Sequence, residues 1–158
     1  MAVRDLTARD RAALERFVLL ASFAPGRVPE GAGATAQVQR WLSGWPGTHD
    51  LAIGYEAGGQ LVGVALARIV DPVRLADGSG ASVPEVLVAV EDEHRGRGIG
   101  ARLVSRIVDA AQRTRRPALA LTVSQRNPAA VSLYQGAGFA EVGRADGLLV
   151  MQRRLDEV

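Results

Sequence analysis

The chain has 158 residues, 47% of them apolar, which is enough to form a core without covalent staples. It has no cysteine and only two histidines, His49 and His94. That excludes disulfides, thiol catalysis and cysteine-ligated metal, and argues against a metal centre of any kind. Every one of the 19 basic residues is arginine, yet the formal net charge is only +2, which is not the footprint of a nucleic-acid binder.

No apolar run nears the ~20 residues that cross a bilayer. The apolar stretch at 17–24 follows Asp10 and Glu15 in a helical pattern, so it reads as helix and not as a signal peptide. One cytoplasmic domain over residues 1–158 is expected, with no membrane association.

Residues 3–7 (VRDLT) suit a first strand. Thr7 and Asp10 resemble a capping pair for a helix that carries Leu14, Phe17, Val18 and Ala21 on one face. Pro25, Gly26 and Pro29 break it. A second helix carries Val38, Trp41, Leu42 and Trp45 and stops at Pro46-Gly47. The two tryptophans could line an apolar or cationic binding site, although their helical spacing points first to core packing.

Residues 51–57 and 61–70 read as strands joined by a Gly58-Gly59 hairpin turn, the second ended by Asp71-Pro72. Asp77 to Gly80 mark a loop. Arg68, Asp71 and Arg74, near the end of the second of these strands, are candidates for ligand contacts, because loops and strand ends often carry function. Residues 84–90 (PEVLVAV) form a strand apolar enough to be buried on both faces. A helix follows, with Ile99, Leu103, Val104, Ile107, Val108 and Ala111 as its apolar stripe. After Pro117, residues 118–123 (ALALTV) form another buried strand. Asn127-Pro128 opens a short helix that Gly136 and Gly138 end, and two strands near 139–144 and 148–155 close the chain. The last could pair across a homodimer. The order predicts a single-layer mixed α/β sheet with helices on its faces and a right-handed crossover between 86 and 123.

The most informative stretch is HRGRGIGARL, residues 94–103. A helix start leaves main-chain N–H groups without partners and carries partial positive charge. Glycine lets a ligand approach that backbone closely. Gly96, Gly98 and Gly100 lie where a buried strand meets an amphipathic helix, with Arg95 and Arg97 beside them, a physical site for a diphosphate. The Gly-Lys-Ser/Thr ending of a Walker loop is absent, and the dinucleotide spacing is only partial.

The run RGRGIG resembles the acyl-CoA signature of the GNAT superfamily of N-acyltransferases, Q/R-x-x-G-x-G/A, with Arg95, Gly98 and Gly100 at its defining positions. Asp92 and His94 stand where that family often has Pro and an aromatic. Residues 127–139 (NPAAVSLYQGAGF) are similar to its second hallmark, an Asn that opens a helix, then a Tyr, then a Gly-Phe pair.

The resemblance implies a mostly antiparallel sheet with a splayed central parallel pair, 86–90 and 118–123, that holds acetyl-CoA as co-substrate and needs no metal. The pantetheine arm would pair with the main chain of Leu87, Val88, Ala89 and Val90. The diphosphate would rest on Arg95, Gly96, Arg97, Gly98, Ile99, Gly100 and Ala101, and Asn127 would bind the arm or hold its loop. The main-chain N–H of Val88 would stabilise the oxyanion. Tyr134 would touch the cofactor and protonate the leaving thiolate, and Glu85 or Glu91 would accept the proton of the amine. The implied acceptor is a small-molecule or peptide amine. A non-catalytic acyl-CoA-binding or sensor module is the alternative, and a phosphate-binding domain for another nucleotide is a third possibility.

Overall fold

A computed structural model describes residues 2–22, 32–74 and 82–155. The breaks expected at Pro25, Gly26 and Pro29 and the loop at 77–80 lie outside these residues. The elements are β1 (Ala2–Asp5), α1 (Arg11–Ser22), α2 (Ala32–Leu42), β2 (Leu51–Ala57), β3 (Gln60–Arg74), β4 (Ser82–Val90), α3 (Ile99–Arg113), β5 (Ala118–Ser124), α4 (Pro128–Gly136), β6 (Ala140–Ala145) and β7 (Leu148–Arg154), with 3₁₀ turns at Ala8–Asp10 and Asp92–His94. The order of strands and helices is the one the sequence predicts.

One seven-stranded sheet runs β1-β2-β3-β4-β5-β7-β6. Its pairs are antiparallel except β4 with β5. The β2–β3 hairpin turns on Gly58 and Gly59, both at positive φ as a two-residue turn requires. One face packs against α3 and α4, where Ile99, Leu103, Val104, Ile107, Val108, Ala111 and Tyr134 meet Ala65, Ala67, Val86 and Leu121. The other packs against α1 and α2, where Leu14, Phe17, Val18, Trp41 and Leu42 cover Val64, Leu66, Leu87 and Ala89. α3 sits close to the sheet because Gly63 has no side chain: a Cβ there would meet Leu103 Cδ1 at 3.1 Å and the Ala89 carbonyl at 3.3 Å.

Three expectations change. β3 does not stop at Asp71-Pro72 but continues to Arg74. The prolines are accommodated because the β3–β4 register breaks between Arg68 and Val73, and Pro72 and Pro84 both fall within that irregularity, where a missing N–H interrupts no regular ladder. β7 lies between β5 and β6, so residues 148–152 have both edges occupied and cannot pair across a dimer; among the described residues the outer strands of the sheet are β1 and β6. Trp45 lies beyond the end of α2, whose terminus is closed by Arg11 donating to the carbonyls of Leu42 (2.9 Å) and Trp45 (3.2 Å).

The first helical turn is tied to β1 through charge. Asp10 accepts from the Thr7 N–H at 2.8 Å and from both terminal nitrogens of Arg4 at 2.8 and 3.0 Å, while Arg4 Nε is bound to Glu56. The Arg4 guanidinium holds the Asp10 carboxyl down at about 2. A carboxyl with a lowered folded pKa stabilises the fold when ionised. That contribution is complete above the ordinary carboxylate range and is lost as pH falls towards 2. Asp10→Asn is therefore expected to cost on the order of 1 kcal/mol at pH 7, allowing for the exposure of Arg4. In urea denaturation the gap from wild type should close as the pH is lowered from 5 towards 2.

Candidate active site

β4 and β5 pair at a single register position, Glu85 with Ala120, and no further ladder joins them among the described residues. The direction of the β4 main chain beyond that point follows from its other edge. The Glu91 N–H donates to the Val62 carbonyl at 2.9 Å, and the register runs unbroken through Val64↔Ala89 and Leu66↔Leu87. Antiparallel pairing alternates, so Leu87 and Ala89 turn their N–H and C=O groups to β3, and Val88 and Val90 turn theirs to the β5 side. Two residues of β4 thus present main-chain donors and acceptors to a fork that β5 has left. Ala89 and Leu87, expected with them, offer side chains to the α1–α2 face instead.

The chain leaves β4 through the Asp92–His94 turn and enters α3 at Gly98, the N-cap. Gly96 and Gly98 both lie at φ +77, and a Cβ on either would meet open space. No side chain caps α3 and no acidic residue occupies its first turn. The first internal bond runs from the Arg102 N–H to the Gly98 carbonyl at 3.1 Å, so the N–H groups of Ile99, Gly100 and Ala101 have no partner within the helix. Arg97 is exposed beside them. Arg95 is engaged with its own turn, donating from Nε to the Val90 carbonyl at 3.2 Å and pairing with Asp92 at 3.2 Å.

The second motif closes on the first. Asn127 caps α4, its Oδ1 accepting from the Ala130 N–H at 3.1 Å, with Pro128 beginning the helix. Gly100 lies against this helix: its Cβ would stand 3.4 Å from Leu133 Cδ2 and 4.0 Å from Val90 Cγ2. The start of α3, the end of β4 and the middle of α4 therefore meet at one place. Next in sequence to Leu133, Tyr134 is only 8% exposed and lies edge-on to Phe139, with ring centroids 5.9 Å apart. Burial pushes its phenol up to about 12, and no charge or hydrogen bond offsets that among the described residues.

The two carboxylates thought of as bases both face α1 and α2. Glu85 is 3% exposed and pairs with Arg40 of α2, whose nitrogen stands 3.4 and 3.5 Å from its two oxygens. Glu91 is bound by Arg16 of α1. These surroundings suit an anionic diphosphate at α3 and an amide-bearing arm along β4. No group of acidic and histidine side chains able to hold a metal occurs among the described residues.

The model of the acetyltransferase (GNAT) family matches residues 15–139. The chain belongs to this family. Among curated proteins it is similar to N-acetyltransferase family 8 member 2 of Rattus norvegicus, at 32% identity over 88 residues covering 56% of this chain and 38% of that protein. It is also similar to the L-methionine sulfoximine/L-methionine sulfone acetyltransferase of Salmonella typhimurium, at 31% over 80 residues covering 44% and 47%. The chain spans less than half the length of these relatives. In fold it resembles yncA from Salmonella typhimurium, solved with its cofactor acetyl-CoA, at TM-score 0.74 and 22% identity over 100% of this chain and 95% of that one.

Within this GNAT chain the tertiary structure reassigns several candidates. Trp41 and Trp45 are both core residues of the α1–α2 face. Arg68 is half-buried and tied to the fold, donating to the Trp41 carbonyl at 2.9 Å and pairing with Asp50 at 3.1 Å. The side chains of Asp71 and Arg74 lie outside the described residues. His94 is half-buried in the turn. Arg40 and Arg16, the partners of the two candidate bases, were invisible to motif spacing because they lie 45 and 75 residues away in sequence.

The glycines of the turn differ in what they require. Gly98→Ala must hold an L-residue in the left-handed region and is expected to lower stability by ~1–2 kcal/mol. Gly100→Ala meets Leu133 at ordinary contact distance within a helix and is expected to be neutral or slightly stabilising. Thermal denaturation of the two variants, in the absence of ligand, distinguishes them.

Proposed function

We propose that the protein is an acetyl-CoA-dependent N-acetyltransferase acting on a primary amine by direct attack in a ternary complex, and that residues 1–158 act as one domain. The observation that carries this is the fork at Glu85↔Ala120, opening beside an uncapped, acid-free helix start. Family membership supports the reaction class, and one relative is named an L-methionine sulfoximine/L-methionine sulfone acetyltransferase.

Acetyl-CoA supplies an activated thioester acyl group. In this proposal the N–H groups of Ile99, Gly100 and Ala101, reached past Gly96 and Gly98, hold its diphosphate, with Arg97 adding charge. Arg95 shapes the turn. Val88 and Val90 bind the pantetheine arm, and the Val88 N–H stabilises negative charge on the carbonyl oxygen as it develops. Asn127 contributes by fixing the start of α4. Tyr134 remains protonated far above neutral pH, so its hydroxyl is available to give a proton to the departing sulfur. Glu85 or Glu91 takes the proton of the incoming ammonium, directly or through water.

A thiol-release assay with acetyl-CoA and a panel of primary amines tests the proposal. Tyr134→Phe is expected to lower kcat by about 100-fold or more while leaving the Kd for CoA within a few-fold. Tight CoA binding without acyl transfer to any amine would instead favour the acyl-CoA-binding module.

A further inference from the structure

Along β3 and β4, and in the turn before α3, arginines are met by carboxylates: Arg68 by Asp50, Arg16 by Glu91 and Arg95 by Asp92. α3 departs from this. Arg102, Arg106 and Arg113 are exposed, and none of them forms a salt bridge or donates a side-chain hydrogen bond among the described residues. Their positions fall within about 40° of one another around the helix, so they make one row, turned away from the apolar stripe. Arg102 lies over the Tyr55 ring, 5.9 Å from its centroid, a contact that orients the guanidinium without neutralising it. Two carboxylates stand near the row. Asp109 is on the same side of α3, and Asp5 of β1 lines a small hollow with Arg106 and Arg113. Neither closes to a salt bridge with them. The row leads back to the start of α3, where the exposed Arg97 also lacks an ion pair among the described residues. Stability does not account for this arrangement. Exposed charges add little to a fold, and like charges four residues apart, as Arg102 and Arg106 are, weaken a helix slightly.

We propose that the arginine row of α3 is an electrostatic guide that draws acetyl-CoA to the open start of the helix. This rests on the acetyltransferase proposal and adds to it a route by which the co-substrate arrives. With a diphosphate and a phosphate monoester, acetyl-CoA is a polyanion. A row of uncompensated cations raises the rate at which such a ligand reaches a neighbouring site, and its field dies away over the Debye length. Distance therefore sorts the three residues. At the rise of an α-helix Arg102 stands about 4.5 Å along the axis from Ile99, Arg106 about 10.5 Å and Arg113 about 21 Å. The Debye length is about 8 Å at physiological salt and about 30 Å at 0.01 M. Arg102 and Arg106 thus act on the site in both conditions. Arg113 acts on it only at low salt. The guanidiniums work before contact is made, so the row changes arrival and not departure. The main-chain N–H groups of Ile99, Gly100 and Ala101 then take over the diphosphate.

Stopped-flow mixing with etheno-CoA, fluorescent through its adenine, measures association and dissociation separately. The double variant Arg102→Gln with Arg106→Gln is expected to associate about 10-fold more slowly than wild type at 0.01 M ionic strength and within about 2-fold of it at 0.5 M. Its dissociation rate should stay within about 2-fold of wild type at both. Arg113→Gln should slow association at 0.01 M and leave it unchanged at 0.15 M. Arg102→Lys with Arg106→Lys keeps the charge and should keep the wild-type rate. Glutamine and lysine both favour helix, and all three positions are exposed, so α3 is retained. A glutamine double variant that associates as fast as wild type at 0.01 M would overturn the inference and leave the acetyltransferase proposal standing. An effect confined to dissociation, or a lysine double variant as slow as the glutamine one, would overturn it equally. Wild-type protein that binds no etheno-CoA and releases no thiol from acetyl-CoA with any amine would overturn both.

Discussion

The parting of β4 from β5 is the constraint on which the rest of the molecule depends. Parallel strands in the middle of a sheet ordinarily continue to pair, because unpaired main-chain groups in an interior are costly. Here, among the described residues, pairing is confined to Glu85↔Ala120. Just before that pair, Pro84 has no N–H to contribute. Beyond it, Val88 and Val90 are left with main-chain groups directed away from β3. An interior sheet edge of this kind calls for something that can hydrogen-bond like another strand. The chain leaves β4 at the open end of the fork, through a turn that leads into α3.

α3 keeps its exposed N-terminus in place by packing and not by capping. Leaving out a capping side chain forgoes roughly 1 kcal/mol. Against this stand six buried apolar residues, Ile99 through Ala111, the larger of which contribute roughly 1.5–3 kcal/mol each. Packing wins by a wide margin, so the helix start can remain open without unravelling. Gly63 lets α3 lie close on the sheet, and α4 reaches α3 beside Gly100, where Leu133 lies at ordinary contact distance. The two motifs, separated in sequence by β5, are joined through that contact.

The opposite face follows a different rule. Its centre is apolar, but its margin carries ion pairs that tie each helix to β4: Arg16 of α1 to Glu91 and Arg40 of α2 to Glu85. The two carboxylates bracket the fork strand. Both are charge-compensated by arginines from the helices above, so any role in moving a proton is coupled to how those arginines sit. The absence of lysine makes every such compensation a guanidinium, which stays charged throughout the working pH range.

The sequence by itself determined the order of elements, the Gly58-Gly59 hairpin, the α3 stripe and the glycine turn at 96–100. Each of these is written in neighbours a few residues apart, through side-chain period or the backbone freedom of glycine. It also marked Tyr134 and Asn127 through a local motif. Only the tertiary structure decided that Arg95 binds its own turn, that Trp45 lies beyond α2, that β3 runs through Pro72 and that β7 is interior. It alone paired Arg40 with Glu85 and Arg16 with Glu91. Those outcomes depend on strand register and on how helices lie across a sheet, which bring together residues that no local spacing relates.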